Sequence, residues 1–189
     1  MKTLRFLKTR QILIGAVILF TSTLGFQTQA QSSAPAVGDT LDLTSFRSQK
    51  GQTLAQAINT HSLAMMVLVD PNCGTCTAAK DSLRNLRDRV EKAGITYYVL
   101  MLPAEGDAQK YFAYADSLNL AAESFVWSSV DSKPPGSLTT LSMPSHILVT
   151  NEGLVVDKWS GIEKSAGNRE NMVNRIASEA VARLRSRQN

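Results

Sequence analysis

The chain has two cysteines, Cys73 and Cys76, separated by two residues in the stretch DPNCGTC at 70–76. Thiols at this spacing can exchange a disulfide with another thiol pair, supply half of a metal site, or form an inert bridge. A structural zinc site as a rule takes four Cys or His ligands. Only two histidines are present, His61 and His146, far apart in the chain and in no paired spacing. No metal is therefore expected. A bridge across C-x-x-C closes a tiny loop and removes little unfolded-state entropy, so it makes a poor staple. The spacing favours dithiol–disulfide chemistry over both alternatives.

That chemistry needs the pair at an accessible edge with one sulfur poised to ionise. AMMVLV (64–69) is an unbroken apolar run, the pattern of a strand buried on both faces. From Thr75 to Lys92 the pattern is helical: Ala79, Leu83, Leu86 and Val90 share one side and charges fill the other, with Gly94 as the stop. The strand thus carries the cysteines to the carboxyl edge of a sheet, where open α/β folds place their sites. Cys73 is expected at the helix start, where unpaired backbone N–H groups and the helix dipole favour a thiolate. Cys76 lies one turn further in, within reach of a mixed disulfide formed at Cys73. Gly74 keeps the turn between them open.

The remaining elements complete an α/β pattern. LDLTSF (41–46) reads as a short edge strand, 52–59 as a helix, ITYYVLML (95–102) as a second buried strand ended by Pro103, and 104–120 as a helix. ESFVWSS (123–129) is a short strand or extended segment, and 131–142 a turn-rich loop. HILVT (146–150) and LVVDKWS (154–160) flank Asn151-Glu152-Gly153, a hairpin signal, and 165–187 closes with a helix. Alternating strands and helices imply a central, mostly parallel sheet covered by helices on both faces, with a C-terminal antiparallel hairpin.

The formal charge of +4 has a local origin. Lys2, Arg5, Lys8 and Arg10 precede any acidic residue, and without them 16 basic residues balance 16 acidic ones. A nucleic-acid-binding function has no support in that balance. The same four cations precede the apolar run ILIGAVILFTSTLGF (12–26) and the small-residue stretch TQA. This is the pattern of a secretory signal peptide cut after Ala30; retention as an N-terminal membrane anchor is the alternative. Residues 31–40, with Pro35 and Gly38, read as a linker, and 41–187 as the folded domain.

Three stretches together resemble the thioredoxin fold, in particular the exported redoxin/TlpA type of thioredoxin-like domain. They are AMMVLVDPNCGTCTAAK, then Met143-Pro144 entering LSMPSHILVTNEGLVVDKWSG, then the strand–NEG–strand pattern ending at Gly161 ahead of a terminal helix. The resemblance spans residues 36–187. It implies a redox-active Cys73–Cys76 disulfide with no cofactor, and a cis Pro144 facing it. It further implies a Met143 backbone free to pair with an extended substrate strand. Implied partners are protein thiols and disulfides of the cell envelope, with a membrane electron donor if the protein works as a reductase.

The sequence departs from that family at two points. Asn72 stands where an aromatic residue, most often Trp, precedes the first cysteine. Val67 stands where thioredoxins bury an acid that assists the second cysteine. Asp70 is the nearest carboxylate to the pair, able to substitute for that acid or merely to shape the turn.

His146 has no nucleophile paired with it and reads as a hydrogen-bonded structural histidine, His61 as a solvent or cap residue, and Trp127 and Trp159 as packing residues. The functional expectation is an exported thiol-disulfide oxidoreductase, with reduction the direction favoured by the resemblance. Its competitor is a non-catalytic thioredoxin-fold binding module, which the missing aromatic and acid would suit. A thiol peroxidase fits less well, because Asp70 rather than a threonine lies three residues before Cys73. Cleavage after Ala30 has a direct readout: the exported protein should have the intact mass of residues 31–189, and a mass that still includes 1–30 excludes it.

Overall fold

Leu63–Val69 (β2) consists of seven residues without a charge, and every one is buried. Such a strand is stable only at the centre of a sheet with cover on both faces. The computed structural model, which describes residues 34–103, 108–120, 124–128, 136–163 and 165–189, places it there. Before it come Phe46–Arg47 (β1) and the helix Leu54–Ile58 (α1); after it come Gly74–Ala78 (α2), Lys80–Lys92 (α3), Thr96–Met101 (β3) and Ala108–Ser117 (α4). Ser124–Trp127 (β4), Gly136–Thr139 (α5), Ser145–Thr150 (β5), Val155–Ser160 (β6) and Ala166–Gln188 (α6) follow.

The six strands run in the order β1-β4-β3-β2-β5-β6. β2, β3 and β4 are mutually parallel, the β5–β6 hairpin joins β2 antiparallel on one side, and β1 pairs antiparallel with β4 at the far edge. The parallel centre and C-terminal hairpin agree with the sequence pattern. Alternate residues of β2 divide the core in two. Leu63, Met65, Val67 and Val69 face a cluster with residues of α3, α4 and α6 and with Cys76. Ala64, Met66 and Leu68 face a second cluster with α1, Leu138 and Leu141. Deleting one such buried Leu or Met side chain typically costs about 2–5 kcal/mol.

Local chemistry explains the boundaries. Thr53 starts α1 with a reciprocal cap: its Oγ1 accepts the Gln56 N–H at 3.1 Å, and the Gln56 side chain accepts the Thr53 N–H at 2.9 Å. The helix expected over 75–92 is divided at Ala79, whose N–H is shared between the Thr75 and Cys76 carbonyls at 3.0 and 3.2 Å. The helix expected over 104–120 ends at Ser117, and Asn119 adopts a left-handed φ of 56° just beyond it. α3 lies against α6, with Arg89 and Glu170 paired across them at 2.9 Å.

The linker expectation changes where the structure describes it. Gly38 N–H donates to the Val155 carbonyl at 2.9 Å, and Val155 N–H to the Asp39 carbonyl at 2.8 Å. Residues 38–41 therefore run as an attached ribbon beside β6, and the pairing expected within 41–46 falls instead at Phe46–Arg47. The signal or anchor segment at 1–30, the linker through 33 and loop residues 131–135 lie outside the described residues. Among the described residues no helix is long and apolar enough to cross a membrane.

Gly153 secures this ribbon to the hairpin. Its φ is +83°, its carbonyl accepts the Leu41 N–H at 3.0 Å, and a Cβ there would lie 2.7 Å from the Leu41 carbonyl oxygen. Gly161 also has a positive φ, +74°, but open space around it. Alanine at Gly161 should lower the unfolding free energy by about 1–2 kcal/mol, the cost of left-handed backbone. Alanine at Gly153 should lower it by distinctly more, because backbone must also move. Urea unfolding of both variants checks this; equal losses would show that the contact with Leu41 carries no weight.

Candidate active site

The turn that presents the cysteines is built by its own polar groups. Asp70, one residue past β2, accepts the Asn72 N–H on its Oδ1 at 2.7 Å and the Cys73 N–H on its carbonyl at 3.0 Å. This is the Asx geometry that lets an aspartate end a strand and start a turn. Of the two roles open to Asp70, the structure thus shows the turn-forming one. Cys73 then caps α2 with φ −84° and ψ 95°, and its sulfur accepts the Cys76 N–H at 3.0 Å.

Cys73 and Cys76 are joined as a disulfide with their Cα atoms 5.2 Å apart. The two sulfurs differ in surroundings. Cys73 is half-buried at the surface, whereas Cys76 is 0% exposed and belongs to the core cluster that includes Val67, Val69 and Leu83. The structure brings Met143 to the same place: its carbonyl oxygen lies 3.5 Å from the Cys73 sulfur. The Met143-Pro144 peptide is cis, Pro144 is buried, and Met143 is half-buried against both core clusters. Ser145 fixes the entry to β5 by donating its hydroxyl to the Ser142 carbonyl. All four residues singled out in the sequence, Cys73, Cys76, Met143 and Pro144, therefore meet at one end of β2 and β5.

Tyr114 and Thr77 also border this site, and neither was singled out from the sequence. Tyr114 of α4 is half-buried against the same core cluster as Cys73, and its hydroxyl lies 3.4 Å from Thr77 Oγ1. Burial pushes its phenol pKa up, the Thr77 hydrogen bond opposes that rise, and the nearby Asp70 adds to it. The available signal was Tyr114 itself, three residues after Tyr111 within the helical pattern, so on the same side of the helix.

His146 departs from expectation. It is 1% exposed, and neither ring nitrogen has a hydrogen-bond partner, so it is not the hydrogen-bonded structural histidine its sequence setting suggested. Desolvation lowers its pKa from the ordinary 6.5 to about 4. His61 is remote, half-buried after α1, where its N–H donates to the Ile58 carbonyl at 2.9 Å. Trp127 stacks edge-on with Phe46 and the Trp159 indole donates to Glu179 at 2.6 Å, so both tryptophans are packing residues.

No protein-family model and no curated protein matches the sequence. Solved structures do resemble the fold. One is a thiol:disulfide interchange protein from Bacteroides sp., 17% identical over 78% of this chain and 92% of that one, with a TM-score of 0.56. Another is the thioredoxin domain of a thiol-disulfide oxidoreductase from Bacteroides vulgatus, 16% identical over 76% and 99%, with a TM-score of 0.57. A third is a secreted disulfide oxidoreductase from Mycobacterium tuberculosis, 14% identical over 72% and 96%, with a TM-score of 0.51. The fold is thioredoxin-like.

The unequal burial of the two sulfurs has a direct consequence. When the disulfide is reduced and the folded protein is treated briefly with iodoacetamide, Cys73 should be alkylated and Cys76 largely spared. Peptide mass mapping reads the ratio. Equal labelling in folded protein would contradict the burial seen here.

Proposed function

We propose that the protein is an exported thiol-disulfide oxidoreductase that exchanges its Cys73–Cys76 dithiol/disulfide with protein substrates of the cell envelope, working in the reducing direction. The observation that carries this reading is the asymmetric pair itself. A reachable Cys73 sulfur is bonded to a fully enclosed Cys76 sulfur, beside the Met143 carbonyl.

In the reduced protein the Cys73 thiolate attacks one sulfur of a substrate disulfide. A Cys73–substrate bond forms, and the other substrate sulfur leaves with the electron pair and takes up a proton. Cys76, one helical turn away, then attacks the Cys73 sulfur. The Cys73–Cys76 bond forms, the mixed disulfide breaks, and the substrate departs as a dithiol. Met143 holds the extended substrate strand by its backbone groups next to Cys73, in the manner of strand addition, and Pro144 shapes the floor of that site. Each turnover leaves the protein oxidised, so in an oxidising envelope a membrane electron donor must return two electrons.

Export rests on the basic and apolar N-terminal pattern, and one of the similar structures is itself a secreted protein. The likeness of this chain to a thiol:disulfide interchange protein and to the thioredoxin domain of a thiol-disulfide oxidoreductase supports the reaction class. Pre-reduced protein should reduce a disulfide-bonded test protein, and Cys73→Ser should return the rate to background. Cys76→Ser should accumulate covalent mixed disulfides with envelope proteins. Undiminished turnover by Cys73→Ser, or no trapped species with Cys76→Ser, would favour a non-catalytic binding module instead.

A further inference from the structure

Building on that reading, we propose that His146 is the group that exchanges a proton with Cys76 when the buried thiol resolves the mixed disulfide. Cys76 is wholly enclosed, and a bare negative charge on an enclosed sulfur is costly. Its proton therefore needs an acceptor inside the fold.

The register of the sheet puts His146 in position. It pairs directly with Val67 of β2 on one side and Trp159 of β6 on the other. Both belong to the core cluster that holds Cys76, so the imidazole projects to the face that carries the disulfide. His146 also stands two residues beyond Pro144 and three beyond Met143, whose carbonyl touches the Cys73 sulfur. Neither ring nitrogen has a protein partner, so the transfer from the Cys76 sulfur runs through one bridging water.

Among the described residues, the other charged or titratable groups on this face are bonded elsewhere or held protonated. Asp157 is paired with Arg183 at 3.0 Å, and Glu179 accepts from the Trp159 indole at 2.6 Å. Asp70 is bonded into its own turn at 2.7 Å. Burial raises the phenols of Tyr97 and Tyr114, which keeps them protonated in neutral solution. Val67 carries no polar group. His146 alone combines enclosure, two free ring nitrogens and a neutral resting state, which its lowered pKa ensures.

In the step itself, Cys76–SH gives its proton to the neutral imidazole and becomes a thiolate beside an imidazolium. The thiolate attacks the Cys73 sulfur, the Cys73–Cys76 bond forms, and the substrate sulfur leaves with the electron pair. The imidazolium, no longer facing an anion, releases its proton to that leaving thiolate or to solvent. The reverse reaction runs the same proton backwards.

This coupling is reciprocal: if His146 assists ionisation of Cys76, an ionising Cys76 must hold the proton on His146. The test follows the His146 ring by NMR across pH in the oxidised protein and in protein reduced with dithiothreitol. His61→Gln confirms the assignment, since the chain has two histidines. In reduced protein the His146 ring signals should show a second inflection at alkaline pH, where Cys76 ionises beside the neutral ring, and oxidised protein should lack it. That inflection should vanish in Cys76→Ser. Identical pH profiles in the two redox states, or an alkaline inflection that survives in Cys76→Ser, would overturn the proposal. The experiment needs no protein substrate, so it is separable from the functional reading: inactive wild-type protein defeats the oxidoreductase assignment, whereas active protein without that alkaline inflection in His146 defeats only this one.

Discussion

In the middle of the sheet Val67 of β2 faces His146 of β5, and Leu68 faces Ser145. That register fixes the end of β5 against the end of β2, and so fixes Met143 against Cys73. The side-chain period of a strand is two, so a slip by one residue would turn every inward group to the opposite face. It would move Val67 and Val69 away from Cys76 and exchange the two core clusters. Burial of β2 on both faces makes that slip prohibitive, because each of its seven residues already fills a place in one core or the other. The position of the disulfide is thus a consequence of apolar packing several residues away from it.

The same packing makes the sulfurs unequal. Asp70 and the Cys73 cap turn the chain sharply as it leaves β2, so that Cys73 remains at the surface. One turn later the inward side of α2 carries Cys76 into the core cluster that holds Leu83 and the β2 valines. An exchange reaction gains from this difference: the outer sulfur meets partners, while the inner one reacts only with the outer. An inert bridge would gain nothing from it, and a loop this short contributes little by chain entropy.

Most of the fold was legible because its signals are periodic and local. The apolar run 64–69, the helical spacing of Leu83, Leu86 and Val90, and the NEG turn each determine an element without help from distant residues. The meeting of Met143 and Pro144 with Cys73 is different, since nothing in the spacing of residues 70 apart reports a contact. It was reached through resemblance, and the structure supplies the distance. Residues 38–40 have the composition of a linker; their hydrogen bonds to β6 are made by backbone, which composition does not encode. The break at Ala79 is likewise a matter of shared carbonyls, invisible in a side-chain pattern that continues across it.

His146 shows where a one-dimensional reading ends. In sequence it lies among Ser145 and Ile147 at the start of a β pattern, and a histidine there is ordinarily hydrogen-bonded. What distinguishes it is a negative property, the lack of any protein partner on either nitrogen, which appears only after every neighbour has been placed. An enclosed, unpartnered imidazole costs folding free energy that a leucine of similar shape would not. A buried leucine would carry no such cost, so stability alone gives no reason for a histidine there. A polar group kept at such a cost, on the face of the sheet that carries an enclosed thiol, is most simply understood as serving that thiol.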